Sequence, residues 1–297
     1  MNLTIWLKAF RLRTLPLALS CSVLGSFLAH ANGSFRWEIF ILAASTTLFL
    51  QILSNLANDY GDSLHGTDNQ ERIGPKRIIQ QGLISRGSMI IAIILFAFLS
   101  LLSGLLLILI ALPGLRSKIL FFLLGIVAIY AAITYTIGRK PYGYIGLGDI
   151  FVFLFFGIVG VAGTYYLHTQ VFTPWILLPS STIGLLSSGV LNLNNMRDIT
   201  NDSLSGKRTL VVRLGSRGAK IYHVTIICLS MFFSLIYTLK FYHSIYQFLF
   251  ILTFPLFVLN IKVVIQNTEP IELNSELRKL AISTLIFSII FGLGFIL

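Results

Sequence analysis

Nine long apolar runs dominate this chain, and they leave it one kind of environment in which to fold. They cover about 14–31, 37–57, 89–111, 119–138, 149–167, 174–191, 221–239, 243–265 and 280–297. Each is near the ~20 residues that a helix needs to cross the hydrocarbon core of a bilayer. The runs are continuously apolar rather than alternating, which selects helices over a β-barrel. Composition agrees: 11% of the residues are charged, against ~25% in soluble domains. A soluble enzyme is excluded on that ground. Disorder is excluded by 24 Phe that have to be buried. The expected fold is all-α, a polytopic membrane bundle of about nine transmembrane helices forming a single domain over 1–297. Cys21 and Cys228 both fall inside apolar runs, without metal-ligand spacing, and read as core or lipid-facing thiols.

The charges sort by side. Lys8, Arg11 and Arg13 precede the first run and argue for a cytoplasmic N-terminus. Alternation then places the N-terminus and the segments near 58–88, 139–148, 192–220 and 262–279 inside. These hold three, four, two, six and three Lys or Arg, so 18 of the 22 lie inside. Only Arg36, Arg116, Lys118 and Lys240 lie outside, as the positive-inside rule requires. The acids follow the same side, Glu38 excepted. Topology does not demand that, because Asp and Glu contribute little to it. The inner segments 58–88 and 192–220 carry 16 of the 33 charges, which marks them as the working loops of a cytoplasm-facing site.

Each of these loops begins with an acidic motif. The first reads Asn55-Leu-Ala-Asn58-Asp59-Tyr60-Gly61-Asp62. The second runs Asn192-Leu-Asn194-Asn195-Met196-Arg197-Asp198 and on to Asp202. Asn55, Asp59 and Asp62 share one helical face, as do Asn194, Asp198 and Asp202. Carboxylates stacked in this way repel one another, so near a membrane they call for a partner. Mg²⁺ fits, held by carboxylates together with substrate phosphates and water. Two such clusters could grip a diphosphate, with Arg72, Lys76, Arg77, Arg139, Lys140, Arg197, Lys207 and Arg208 available to complete the clamp.

The wording of these segments resembles the UbiA superfamily of intramembrane aromatic prenyltransferases. Asn55-x-x-Asn58-Asp59-x-x-Asp62, followed by Arg72-Ile-Gly-Pro75 and Gly82-x-Ile84-Ser85, is similar to its first signature. Arg197-Asp198-x-x-x-Asp202-x-x-x-Gly206-Lys207-Arg208-Thr209-Leu210, with Leu214-Gly215, is similar to its second. The segments from Tyr135-Thr136 to Gly146-Leu147-Gly148-Asp149 and at Phe155-Phe156-Gly157 resemble the branch that prenylates 1,4-dihydroxy-2-naphthoate in menaquinone synthesis. The likeness runs from Arg11 to about Arg217, and the last three spans carry little signature.

The resemblance implies a cytoplasm-facing cavity with a lipid-side opening, Mg²⁺, a polyprenyl diphosphate donor and an aromatic acceptor. It implies no nucleic acid. Asn55, Asp59 and Asp62 would form one metal and diphosphate cluster, Asp198 and Asp202 the other, with the four Asp catalytic. Tyr135, Arg139, Lys140 and Arg13 would lie near the diphosphate, beside Arg72, Lys76, Arg77, Arg197 and Lys207. Asn58, Asn194, Asn195 and Asp149 are further possible contributors; Asp149 stands where that branch is expected to carry Glu, with a shorter reach. The implied setting is a bacterial inner membrane. Another acceptor (4-hydroxybenzoate, homogentisate or haem) is an alternative, and a cation-coupled transporter is one of a different class.

Other prominent residues take plainer readings. His30, His168, His223 and His243 are expected to be structural or interfacial, and Trp6, Trp37 and Trp175 to form an aromatic belt. The Phe-rich stretch 151–156 is expected to serve packing or lipid contact.

Overall fold

The computed structural model describes residues 3–65, 73–74 and 77–297. Among them, nine helices are long and apolar enough to cross a membrane. In order they are Leu12–Ala31, Trp37–Leu64, Arg86–Ala111, Leu115–Thr134, Gly148–Thr169, Pro174–Arg197, Leu210–Lys240, Ile245–Gln266 and Pro270–Ile296. A short helix, Leu3–Ala9, precedes the first span.

Several spans outrun the hydropathy that predicts them. The second continues to Leu64, the sixth to Arg197, and the ninth starts at Pro270. Apolarity stops where charges begin, but backbone hydrogen bonding does not. Asp59, Asp62 and Asn194 therefore stand on helix rather than in loops.

The first span sits near the centre, packed against the second, fifth and ninth. The second pairs with the third, and the fourth leans on both. The sixth packs against the fifth, seventh and ninth. Burial follows this order: 72% of the apolar window of the sixth span is buried, against 6% for the fourth, so the sixth is core and the fourth lies at the lipid edge. The fifth and sixth approach closely at small residues. A Cβ on Gly157 would lie 2.6 Å from Ser180 O and 2.9 Å from Gly184 Cα. Without a hydrophobic drive between helices in lipid, such contacts supply the packing energy.

Two irregularities shape the interior. Phe153–Ala162 in the fifth span is π-helical, a rare form that is frequent at functional sites. It turns Phe155, Phe156, Val159 and Gly160 toward a central cavity, which Phe151 also lines. This Phe stretch is thus cavity wall as well as packing. The seventh span kinks at Gly215 (φ 68°, ψ 172°), a conformation open essentially to glycine alone.

Trp37 and Trp175 are exposed near span ends, as a belt requires, but Trp6 is buried against Phe10 inside the bundle. Its short helix folds back on the second span, which takes the ring out of the belt. His168 accepts from Arg36 N at 3.2 Å, and His223 pairs with Asn260 at 2.9 Å. Both are buried structural residues.

Candidate active site

A cavity of about 330 Å³ lies among the first six spans. One end is polar, carrying Arg11, Asn55, Asp62, Arg77, Asn194 and Lys207; the remainder is mostly apolar, reaching Leu107, Phe121 and Leu167 at the far end of the bundle.

The last turns of the second span present the first motif. Asp59 is clamped by two guanidiniums, Arg11 in direct contact and Arg77 at 2.7 Å. Arg11 adopts a left-handed backbone (φ 51°), uncommon outside glycine, while its guanidinium pairs with Asp59. Asp62 accepts from Tyr144 Oη at 2.9 Å and from Arg77 at 3.3 Å. Asn55 donates to Phe10 O (2.9 Å) and Thr14 Oγ1 (3.0 Å), which ties the N-terminal segment to the site. Asn58 Oδ1 lies 3.3 Å from the Thr136 hydroxyl, which also reaches Ala57 O at 3.0 Å. That crossing needs Gly61, where a Cβ would come 2.6 Å from Thr136 Oγ1.

The second motif follows the sixth span. Arg197 is wholly buried and grips Asp198 with two hydrogen bonds, of 2.9 and 2.5 Å. Its remaining donors go to Asn194 Oδ1 (2.9 Å) and Asn274 Oδ1 (2.6 Å). Arg197 is thus turned onto Asp198 and away from the cavity wall. Asp202, on the short helix Ile199–Leu204, lies 3.5 Å from Lys207 Nζ. Burial alone would lower the pKa of Lys207, yet Asp202, then Asp62, Tyr144 and Asp198 hold it above its ordinary 10.5. Lys207 also sits 5.3 Å over the Tyr144 ring. Tyr144 and Lys207 together bridge the two motifs.

The other expected site residues divide. Tyr135 and Arg13 line the cavity. Burial, and then Asp149, Asp62 and Asp202, push the Tyr135 phenol well above its usual range, so it stays protonated. Arg139 and Lys140 are exposed on the turn and do not line the cavity. Tyr135 and Tyr142 pack ring against ring (5.2 Å) on the inner side of that turn, which leaves the basic pair between them outside. Arg208 is also exposed. Asn195 is buried but not on the cavity. Asp149 is buried in the first turn of the fifth span and accepts from Tyr222 Oη at 3.1 Å. Arg72 and Lys76 lie outside the described residues.

Arg11, Tyr144 and Asn274 were not among the expected residues. Arg11 was legible only as topogenic charge, and nothing local in the sequence marks the other two.

The acidic donors are all oxygen: Asp62 lines the polar end of the cavity with Asn55 and Asn194, while Asp59, Asp198 and Asp202 are buried off its lining. That hardness suits Mg²⁺. Among the described residues, however, no three His, Cys, Asp or Glu side chains converge as a ready cage. Each carboxylate is held by a basic side chain instead, so a cation would have to exchange with Arg or Lys.

Membrane-length helices around a cavity with one charged end define an integral-membrane enzyme, and comparison with known proteins gives its class. The model of the UbiA prenyltransferase family matches residues 18–289. The chain belongs to the UbiA prenyltransferase family. It is 42% identical to the 1,4-dihydroxy-2-naphthoate octaprenyltransferase of Escherichia coli (strain K12), covering 98% of this chain and 95% of that protein. It is 44% identical to the protein of the same name from Haemophilus influenzae, covering 100% and 97%. Its fold is similar to the apo structure of a UbiA homolog from Aeropyrum pernix K1, with a TM-score of 0.68 at 17% identity over 94% of this chain and 96% of that one. A UbiA homolog from Archaeoglobus fulgidus bound to DMAPP and Mg²⁺ superposes with a TM-score of 0.60 at 17% identity, over 96% and 98%.

Proposed function

We propose that this enzyme transfers a polyprenyl group from polyprenyl diphosphate to 1,4-dihydroxy-2-naphthoate with loss of the carboxyl group, giving demethylmenaquinol. The observation that carries the reading is the bridge of Tyr144 and Lys207 between two acidic motifs, at the mouth of a deep apolar cavity. The near full-length likeness to two bacterial octaprenyltransferases supports the acceptor and a long donor chain.

Arg11, Arg13, Arg77 and Lys207 would take the diphosphate at the polar end, supported by charge-assisted hydrogen bonds. Asp59, Asp62, Asp198 and Asp202, with Asn55, would hold Mg²⁺. When bound, Mg²⁺ supplies neutralisation of charge on the leaving diphosphate. Arg197 orients Asp198 for that role, and Asn55 fixes the N-terminal segment beside it. The bond from the allylic carbon to the diphosphate oxygen breaks, and its electron pair leaves with the diphosphate. Apolar cavity walls exclude the water that would quench the allylic cation. The ring carbon bearing the carboxylate bonds to the cation, and CO₂ departs, returning its electron pair to the ring. In this reading the charged end faces the cytoplasm of a bacterial inner membrane, which the distribution of Lys and Arg supports. The prenyl chain accounts for the membrane setting, since each buried CH₂ contributes about 0.8 kcal/mol.

The test is incubation of purified protein with labelled polyprenyl diphosphate, Mg²⁺ and a panel of acceptors, followed by mass spectrometry of the lipid products. A prenylated, decarboxylated naphthoquinol supports the proposal. Prenylated 4-hydroxybenzoate, homogentisate or haem in its place would reassign the acceptor. Ion flux without a new product would restore the transporter reading.

A further inference from the structure

The last three spans carry little signature in sequence, and among the described residues the ninth gives the cavity wall only Leu277. Its first turn nevertheless reaches the second acidic motif by two routes. Asn274 Oδ1 accepts from Arg197 Nη1 at 2.6 Å. Two residues on, Glu276 starts a longer path. Its carboxylate is buried and accepts from Asn260 Nδ2 of the eighth span at 2.9 Å. Asn260 Oδ1 meets His223 Nε2 of the seventh span at 2.9 Å, and His223 Nδ1 meets Asn192 Nδ2 of the sixth at 3.4 Å.

The carboxylate sets the direction of this path. It accepts only, so Asn260 turns its amide nitrogen to Glu276 and its oxygen to His223. His223 then carries its proton on Nε2, and Nδ1 accepts from Asn192. All four side chains are buried. Packing alone does not call for a buried carboxylate, because apolar side chains of similar volume often hold helices together as well or better. The places that the two routes grip supply a reason. Asn192 and Arg197 flank Asn194, which lines the cavity, and Arg197 binds Asp198. The sixth helix ends at Arg197, and the final carbonyls of a helix lack intrahelical partners. Two lateral grips on that last turn fix its rotation about the helix axis.

We propose that Asn274 and Glu276 are positioning residues for the second motif. Asn274 acts through Arg197, and Glu276 acts through Asn260, His223 and Asn192. Together they lock the end of the sixth span so that Asn194 and Asp198 are in place for the diphosphate of the donor. The inference rests on the prenyltransferase reading above.

Purified full-length Glu276→Ala, Glu276→Gln, Asn274→Ala and Phe287→Ala proteins test it. Binding of an unreactive prenyl thiodiphosphate with Mg²⁺ is measured by calorimetry, beside KM for donor and acceptor and the melting temperature. Glu276→Ala and Asn274→Ala should weaken analogue binding and raise the donor KM by about tenfold or more, with the acceptor KM within about twofold. Glu276→Gln keeps an oxygen for Asn260 and should bind the analogue within about twofold of wild type. Phe287 is buried in the same span and does not line the cavity. Phe287→Ala should lower the melting temperature and leave analogue binding unchanged. Analogue binding at wild-type strength in Glu276→Ala or Asn274→Ala overturns the proposal. So does an equal loss in Phe287→Ala, or a loss in Glu276→Gln as large as that in Glu276→Ala. If Glu276→Ala does not fold, Asn274→Ala, which leaves the buried path intact, decides alone. A wild-type protein that neither binds the analogue nor converts the donor refutes the prenyltransferase reading instead.

Discussion

Tyr144 joins the two acidic motifs: its hydroxyl donates to Asp62 at 2.9 Å while its ring lies under Lys207, the partner of Asp202. Tyr144→Phe keeps the ring and removes the donor. Leaving a buried carboxylate short of one hydrogen bond costs about 1–3 kcal/mol. The expected outcome is a drop in kcat/KM for the prenyl diphosphate of roughly five- to hundredfold, together with a lowered melting temperature. Tyr144→Ala should do worse, because Lys207 also loses its ring. Steady-state kinetics on the two purified variants check the order.

Gly74 and Arg197 make the second link between the motifs. A Cβ on Gly74 would sit 2.8 Å from Arg197 Nη2, on a guanidinium with no exposed surface. Gly74→Ala should therefore push Arg197 off Asp198 and lower turnover by about tenfold or more while the protein still folds. Arg197→Ala should be harsher, because it leaves Asp198 buried without its charge partner, at about 3–5 kcal/mol. A thermal shift in detergent separates the two effects.

The crossing at Gly61 is a packing prediction. Gly61→Val drives a branched side chain against Thr136, whose backbone oxygen would lie 2.7 Å from the new Cβ. Overpacking of this kind costs about 1–3 kcal/mol. The melting temperature should fall, and Asn58 should lose its contact with Thr136.

For pH, the sign follows from Lys207, whose pKa is raised above 10.5 in the folded protein. The stabilising pairing with Asp202 is then fully present below about 10.5, and it is lost only as pH rises through the still higher folded value. The stability difference between wild type and Lys207→Met should stay constant from neutral pH to about 10 and shrink beyond that. A difference that shrinks near pH 8 would contradict the raised value.

Much of the fold was legible because a bilayer tolerates so few arrangements: the nine apolar runs correspond to the nine candidate spans among the described residues, and the charge count marked the end where the polar side chains gather. Span ends were less legible, since the apolar runs stop at about 57 and 191 while the helices run to Leu64 and Arg197. The acidic motifs showed in sequence through their three- and four-residue spacing. Their partners did not, because Arg11 with Asp59 and Tyr144 with Asp62 are long-range pairs set by tertiary packing. Arg139 and Lys140 are exposed on a turn whose Tyr135 and Tyr142 rings pack together, a placement that charge and position in the chain did not reveal.

The most direct test of the site is the Mg²⁺ dependence of prenyl transfer by purified wild type, Asp59→Asn and Asp198→Asn. Each substitution keeps the shape and removes one negative charge from one motif. The expected result is Mg²⁺-dependent turnover in wild type and a loss of about 10²–10³-fold in each variant, the scale set by removing one preorganised electrostatic group. Near-normal Mg²⁺-dependent turnover in either variant would contradict the assignment of that motif to metal and diphosphate.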